Sequence, residues 1–356
     1  MNGSPSQEHG VEQGILSRMN ARSLGRAALV LCVAGSLWSA GGCGLFDGWG
    51  SGTSAGEQRA RAEERVGIAD QLAEEGRLDE ALAELALAIR DNPTLTTAFV
   101  RMADIHKERG DYAPAERAFG RAAELEPSNF DYVFNHGLML QLLNRLSEAV
   151  RVYLRALALR PDDRDANLNL ATAYLQLREP RQALPYAQRA VRVDPDHAPG
   201  RVNLGATFSA LDRHREAVLE FESALETGGE SPELLLNLAD SLNRLNRYAE
   251  MATTLERLIA TSPQGREAAI AHERLGSARF RLGMYDEALA SFRRAVEIDP
   301  SHYPALNGVG VCLLNRYLTS DPRDVDAQRE AIRALRRSLQ LNERQPRIVE
   351  LLSRYA

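Results

Sequence analysis

A small residue recurs along this chain with a fixed step. Ala81, Ala115, Ala149, Ala183, Ala217 and Met251 stand 34 residues apart, and Ala288 and Ala331 follow after longer steps of 37 and 43. Four places after each comes a filler: Leu85, Phe119, Tyr153, Ala187, Phe221, Leu255, Phe292 and Leu335. Three places further stand Ala88, Ala122, Ala156, Ala190, Ala224, Leu258, Ala295 and Ser338. Steps of three and four put all three on one face of a helix. Five places on, a proline usually closes the unit, as at Pro93, Pro127, Pro161, Pro195, Pro263 and Pro300. Proline cannot continue a helix, so it ends this one and redirects the chain.

A second helix is needed in each unit to cover that face. Its signature is a large–small pair: Leu170-Ala171, Leu204-Gly205, Leu238-Ala239 and Leu275-Gly276. Between the two helices stand Gly76, Gly110, Asn144, Arg178, Asp212, Asn246 and Gly283. Gly, Asn and Asp tolerate the left-handed conformation that closes a helix. Arg178 does not, and strain or an altered turn is expected there. The three-residue excess near Gln264-Gly265-Arg266 predicts an elongated turn. The nine-residue excess, from Leu318 to about Ala327, predicts a longer last hairpin.

This pattern resembles the tetratricopeptide repeat. The resemblance implies an all-α, right-handed solenoid of about eight helical hairpins over residues 62–345. The repeats fall near 62–95, 96–129, 130–163, 164–197, 198–231, 232–268, 269–302 and 303–345. No hairpin of this kind buries its apolar face alone, so neighbours stack. After Pro346, the spacing of Ile348, Leu351, Leu352 and Tyr355 predicts an amphipathic helix over 346–356 that caps the stack.

The N-terminal part reads differently. Residues 1–18 are patternless and read as an upstream extension, with Met19 as the natural start. Arg22 and Arg26 precede an apolar run from Ala27 to Trp38, too short for a membrane span and suited to an export signal over 19–43. The run Ala40-Gly41-Gly42-Cys43 resembles a bacterial lipoprotein box, although Ala40 stands where leucine is usual. The resemblance implies lipid attachment at Cys43; simple secretion and an uncleaved anchor are the alternatives. Gly44 after the cysteine leans towards an outer-membrane lipoprotein facing the periplasm. Residues 44–60 are rich in Gly and Ser and read as a flexible linker.

Function is marked by a ladder. Asn135, Asn169, Asn203 and Asn237 take the sixth place of four consecutive repeats, one repeat apart. That place faces the inner surface of the stack. A primary amide offers two donors and an acceptor, and an extended peptide offers alternating N–H and C=O groups. A row of Asn can therefore clamp a backbone without reading its side chains. Similar ladders occur in the superhelix of the O-linked N-acetylglucosamine transferases; the resemblance concerns the ladder alone, and no transferase domain is expected. A neutral Asn copied by repeat duplication is the bland alternative. Asp131, Asp165 and Glu233 make the rim acidic, and Arg101 and Arg274 at the sixth place of other repeats make the groove ends look basic.

The chemistry of enzymes is missing. The sequence has no phosphate loop, no HExxH and no nucleophile elbow. His106 and His136 read as structural. Asp321, Asp324, Asp326 and Glu330 lack the glycine and spacing of a calcium loop and read as helix-start acids. Cys312, in an apolar run, reads as core. No catalytic residue, cofactor, metal site or small-molecule substrate is expected. A net charge of −6 gives no field to attract nucleic acid. The expected function is an envelope-anchored scaffold that binds protein or peptide segments in a concave groove. Tetratricopeptide lipoproteins of this layout resemble assembly factors of type IV and tight-adherence pili, so help in assembling a pilus or secretion complex is a narrower expectation. The alternative is a structural or regulatory subunit of an envelope enzyme complex that acts through its convex faces.

Overall fold

A computed structural model describes residues 54–228, 230–320 and 323–356. The expected export signal, Cys43 and most of the expected linker lie outside them. Within the described residues the chain forms seventeen α-helices and no strand. Eight hairpins follow in order: α1 (Ala55–Glu74) with α2 (Leu78–Asp91), α3 (Thr96–Glu108) with α4 (Tyr112–Leu125), α5 (Phe130–Leu142) with α6 (Leu146–Leu159), and α7 (Arg164–Gln176) with α8 (Pro180–Val193). They continue with α9 (Ala198–Ala210) and α10 (His214–Glu226), α11 (Pro232–Arg244) and α12 (Tyr248–Thr261), α13 (Arg266–Arg281) and α14 (Tyr285–Ile298), and α15 (Tyr303–Thr319) and α16 (Val325–Leu341). The short α17 (Pro346–Tyr355) ends the chain. Among the described residues no helix is long and apolar enough to cross a membrane.

The repeating residues are the core. Every member of the three periodic series, from Ala81 to Ser338, is at most 4% exposed. The reason is close approach. In the α9–α10 hairpin a Cβ on Gly205 would stand 2.6 Å from the Phe221 ring, so only a bare α-carbon lets that ring lie flat against α9. Each first helix packs on its own second helix and on the second helix of the preceding hairpin. First helices also touch the next first helix along most of the stack, while second helices make no comparable contact with one another. That asymmetry makes the first-helix side the concave one.

Seven of the eight hairpins close through one left-handed residue. Gly76, Gly110, Asn144, Arg178, Asp212, Asn246 and Gly283 have φ between 58° and 79°. Arg178 adopts φ 61°, and Glu179 N–H donates to the Tyr174 carbonyl at 2.8 Å, as Arg145 N–H does to Leu140. The turn is therefore unaltered, and Arg178 carries the steric cost of a Cβ in that region.

Two boundaries differ from expectation. The linker read over 44–60 ends earlier, because Ser54 caps α1: its hydroxyl accepts from Glu57 N–H and the Glu57 carboxylate accepts from Ser54 N–H. The three extra residues near Gly265 do not lengthen a turn. The connection from α12 to α13 has the usual four residues, and α13 instead runs to sixteen where α11 has thirteen. Ala268 and Ala269 are buried, so the added turn of helix has apolar surface to cover. The last hairpin is longer, as expected, with both helices at seventeen residues.

Candidate functional site: the concave groove

The first helices α5, α7, α9 and α11 present the four ladder residues on the concave side, all half-buried. They do not present alike. Asn135 Nδ2 donates to the Asp131 carbonyl one turn back, at 2.8 Å, so that amide is engaged by its own helix. Asn203 Nδ2 reaches across to the preceding repeat and donates to Thr172 Oγ1 at 2.8 Å. The Thr172 hydroxyl spends its proton on the Leu168 carbonyl, which fixes it as acceptor towards Asn203. Asn203 Oδ1 is then left buried without a donor among the described residues. Asn169 stands beside the hydroxyl of Tyr153, which donates to Gln141 Oε1 at 2.8 Å. Burial pushes that phenol well above its ordinary range, and the Asn169 amide opposes the shift.

Asn169 and Asn203 line one cleft of about 720 Å³ between α7, α9 and the start of α11. Its floor is apolar: Leu168, Leu175, Val202 and Ala206. Asn237 lines a neighbouring cleft of about 520 Å³ with Leu236, Asp240, Glu267 and Arg274. Ser231 and Glu233, just before and in the first turn of α11, border both. The apolar floor went unread in the sequence, although a signal was there. Each ladder Asn directly follows an apolar residue: Phe134, Leu168, Val202 and Leu236. All four are half-buried. In repeat seven the apolar–Asn pair becomes Glu273-Arg274, and the groove changes character.

The groove ends are not basic. Arg101 pairs with Asp70 and Arg274 with Asp240, each at 3.1 Å across one repeat, so both charges are met by the first helix before them. The rim is also less acidic than expected, because Arg160 meets Asp131 at 3.3 Å and Arg164 meets Asp165 at 2.8 Å. Among the described residues Glu233 and Glu267 pair with no arginine. Burial raises the carboxyl of Asp240 above its ordinary range even with Arg274 beside it, and burial raises Glu273 likewise.

The remaining chemical candidates have structural partners. His136 Nε2 lies 3.2 Å from Glu116 Oε1, which Arg145 also holds. Cys312 is buried among apolar side chains, and burial pushes its thiol up to about 12, far from a nucleophile's range. Asp324 caps α16 by accepting from Ala327 N–H at 2.9 Å, Asp326 sits in its first turn, and Glu330 pairs with Arg293. Asp321 lies outside the described residues. Among the described residues no three acids, histidines or cysteines are placed to share a metal ion.

The tetratricopeptide repeat family matches the chain over residues 96–129, 137–177, 168–232, 202–266 and 236–303. The chain belongs to the tetratricopeptide repeat family. Its hairpins agree with a solved tetratricopeptide repeat protein from Parabacteroides merdae, at 20% identity and a TM-score of 0.51, over 72% of this chain and 97% of that one. PilW, described as a widely conserved type IV pilus biogenesis factor, is similar at 20% identity and a TM-score of 0.49, over 58% of this chain and 96% of that one. The mouse protein named Superkiller complex protein 3 is 32% identical over 75 residues, which are 21% of this chain. The match spans only 5% of that protein's length. Tetratricopeptide repeats serve protein–protein interaction, and that coarse role is this chain's as well.

Proposed function

We propose that this tetratricopeptide protein is a scaffold that holds an extended segment of a partner protein in its concave groove, along α7 to α11. The observation that carries the reading is the cleft in which Asn169 and Asn203 stand over an apolar floor, with the Asn203 carbonyl oxygen unpaired. A buried acceptor without a donor is costly, and a turn of the Asn203 side chain into the cleft would let a peptide N–H relieve it. Main-chain bonding by amides and side-chain burial on the floor together give affinity with modest sequence demands.

The test is co-purification from cells that express the full chain, with Asn169, Asn203 and Asn237 changed together to Ala. The partner set is expected to shrink while the helical content and melting temperature hold. An unchanged partner set refutes clamping in the groove. The scaffold acts, in this reading, at the cell envelope, hung from a lipid on Cys43 on the periplasmic side of the outer membrane. The support for that is the apolar run before a small-residue stretch that ends in cysteine. Labelled palmitate is expected in the wild-type chain and not in Cys43→Ala; equal labelling of both refutes the anchor. A role in pilus or secretion-complex assembly is the narrowest part of the proposal, and loss of surface pili on deletion of the gene is its test.

A further inference from the structure

We infer that the groove selects segments in which a large apolar residue and a basic residue stand about four to eight positions apart. The inference rests on groove binding as proposed above and adds the chemistry of the occupant. The apolar requirement comes from the floor of the larger cleft, where Leu168, Leu175, Val202 and Ala206 leave room for a side chain such as Leu or Phe. Its charged lining is Glu230 and Glu233, with no basic residue. Glu230 is already held by two hydrogen bonds from Arg257, each 2.7 Å. Glu233 is not paired, and it forms the wall shared with the smaller cleft, where Glu267 and Asp240 face a single Arg274.

The charge left over is therefore negative and lies on one side of the apolar floor. Arg274 is consumed by Asp240 and by the Leu236 carbonyl, at 3.1 and 3.3 Å. Glu233 and Glu267 stand exposed in the first turns of α11 and α13, open to a ligand from solvent. Packed helices lie about 8–10 Å apart and an extended chain rises about 3.3 Å per residue. From the floor between α7 and α9 to these carboxylates on α11 and α13 is about one and a half to two and a half helix spacings, hence about four to eight residues. A lysine or arginine at that distance places its charge between Glu233 and Glu267 while its neighbour fills the floor and the backbone meets Asn203.

The experiment is selection of a phage-displayed random dodecapeptide library on the immobilised full chain. Enriched peptides are expected to carry a large apolar residue and a Lys or Arg at this separation. Their affinity should fall roughly tenfold for Leu168→Ala, from lost apolar contact. It should fall roughly three- to tenfold at low salt for the Glu233→Gln, Glu267→Gln pair, whose exposed positions leave the fold intact. Peptides that depend on Asn203 but lack the basic residue, or ignore the Glu→Gln pair, overturn this inference and leave groove binding standing. Peptides that bind Asn203→Ala as well as wild type, or no enrichment at all, overturn groove binding itself.

Discussion

At the scale of single residues, two side chains carry costs that the rest of the molecule tolerates. Arg178 holds φ 61° at a turn where three sister repeats use glycine. Arg178→Gly is expected to stabilise the chain by about 1 kcal/mol, read as a higher urea midpoint with an unchanged slope. Glu273 is the second. Burial raises its carboxyl, so the folded chain holds that proton more tightly than the unfolded one. Its contribution is then fully present below the ordinary carboxylate range and is lost as pH rises through the raised value. Glu273→Gln should raise the melting temperature at pH 7.5 by more than at pH 4.5; equal gains at both would show that burial of charge is not the cause. The residues themselves were legible as a pattern. Arg178 stood out because it broke a series, and the ladder because it made one. The partners of each amide were not legible. Whether Asn135 turns to its own helix or Asn203 to Thr172 depends on rotamers and on the neighbour one repeat away, which spacing alone does not encode.

At the scale of elements, periodicity placed sixteen helices because each repeat poses the same burial problem and solves it with the same residues. It misassigned the three extra residues at Gly265 for a physical reason. Glycine marks a break in a helix but not the side on which the excess falls, and Ala268 and Ala269 draw it into α13. The end of the stack uses another device. Gln345 Nε2 donates to the Ser338 and Asn342 carbonyls, at 3.1 and 2.8 Å, while its Oε1 accepts from Asn307 Nδ2 at 2.7 Å. The Ser338 hydroxyl completes the set on Asn307 Oδ1 at 2.6 Å. This network joins α15, α16 and the start of α17. Gln345→Ala leaves a half-buried amide unmatched and should cost about 1–3 kcal/mol. Hydrogen exchange should quicken in α17 and the end of α16 and stay unchanged in α5 to α10.

At the scale of the whole molecule, the groove has a direction. Repeats three to six offer an apolar residue followed by Asn, and repeat seven replaces them with Glu273-Arg274. A segment held in the groove as proposed would meet amide and hydrocarbon along repeats three to six and charge at repeat seven. The order of the repeats along the chain becomes an order of chemical environments in space.

The neighbour-only packing of the hairpins has a mechanical consequence. Because each hairpin is held by the two beside it, a load on the two ends of the stack is carried in series through every interface. The weakest interface yields first and the others remain closed. One released repeat of 34 residues pays out roughly 12 nm of chain at about 3.6 Å per residue. Optical-trap extension of the full chain should therefore show a ladder of force drops at that increment, and a single all-or-none rupture would show that the stack acts as one body. Under tension the protein is expected to act as a shock absorber that lengthens by whole hairpins.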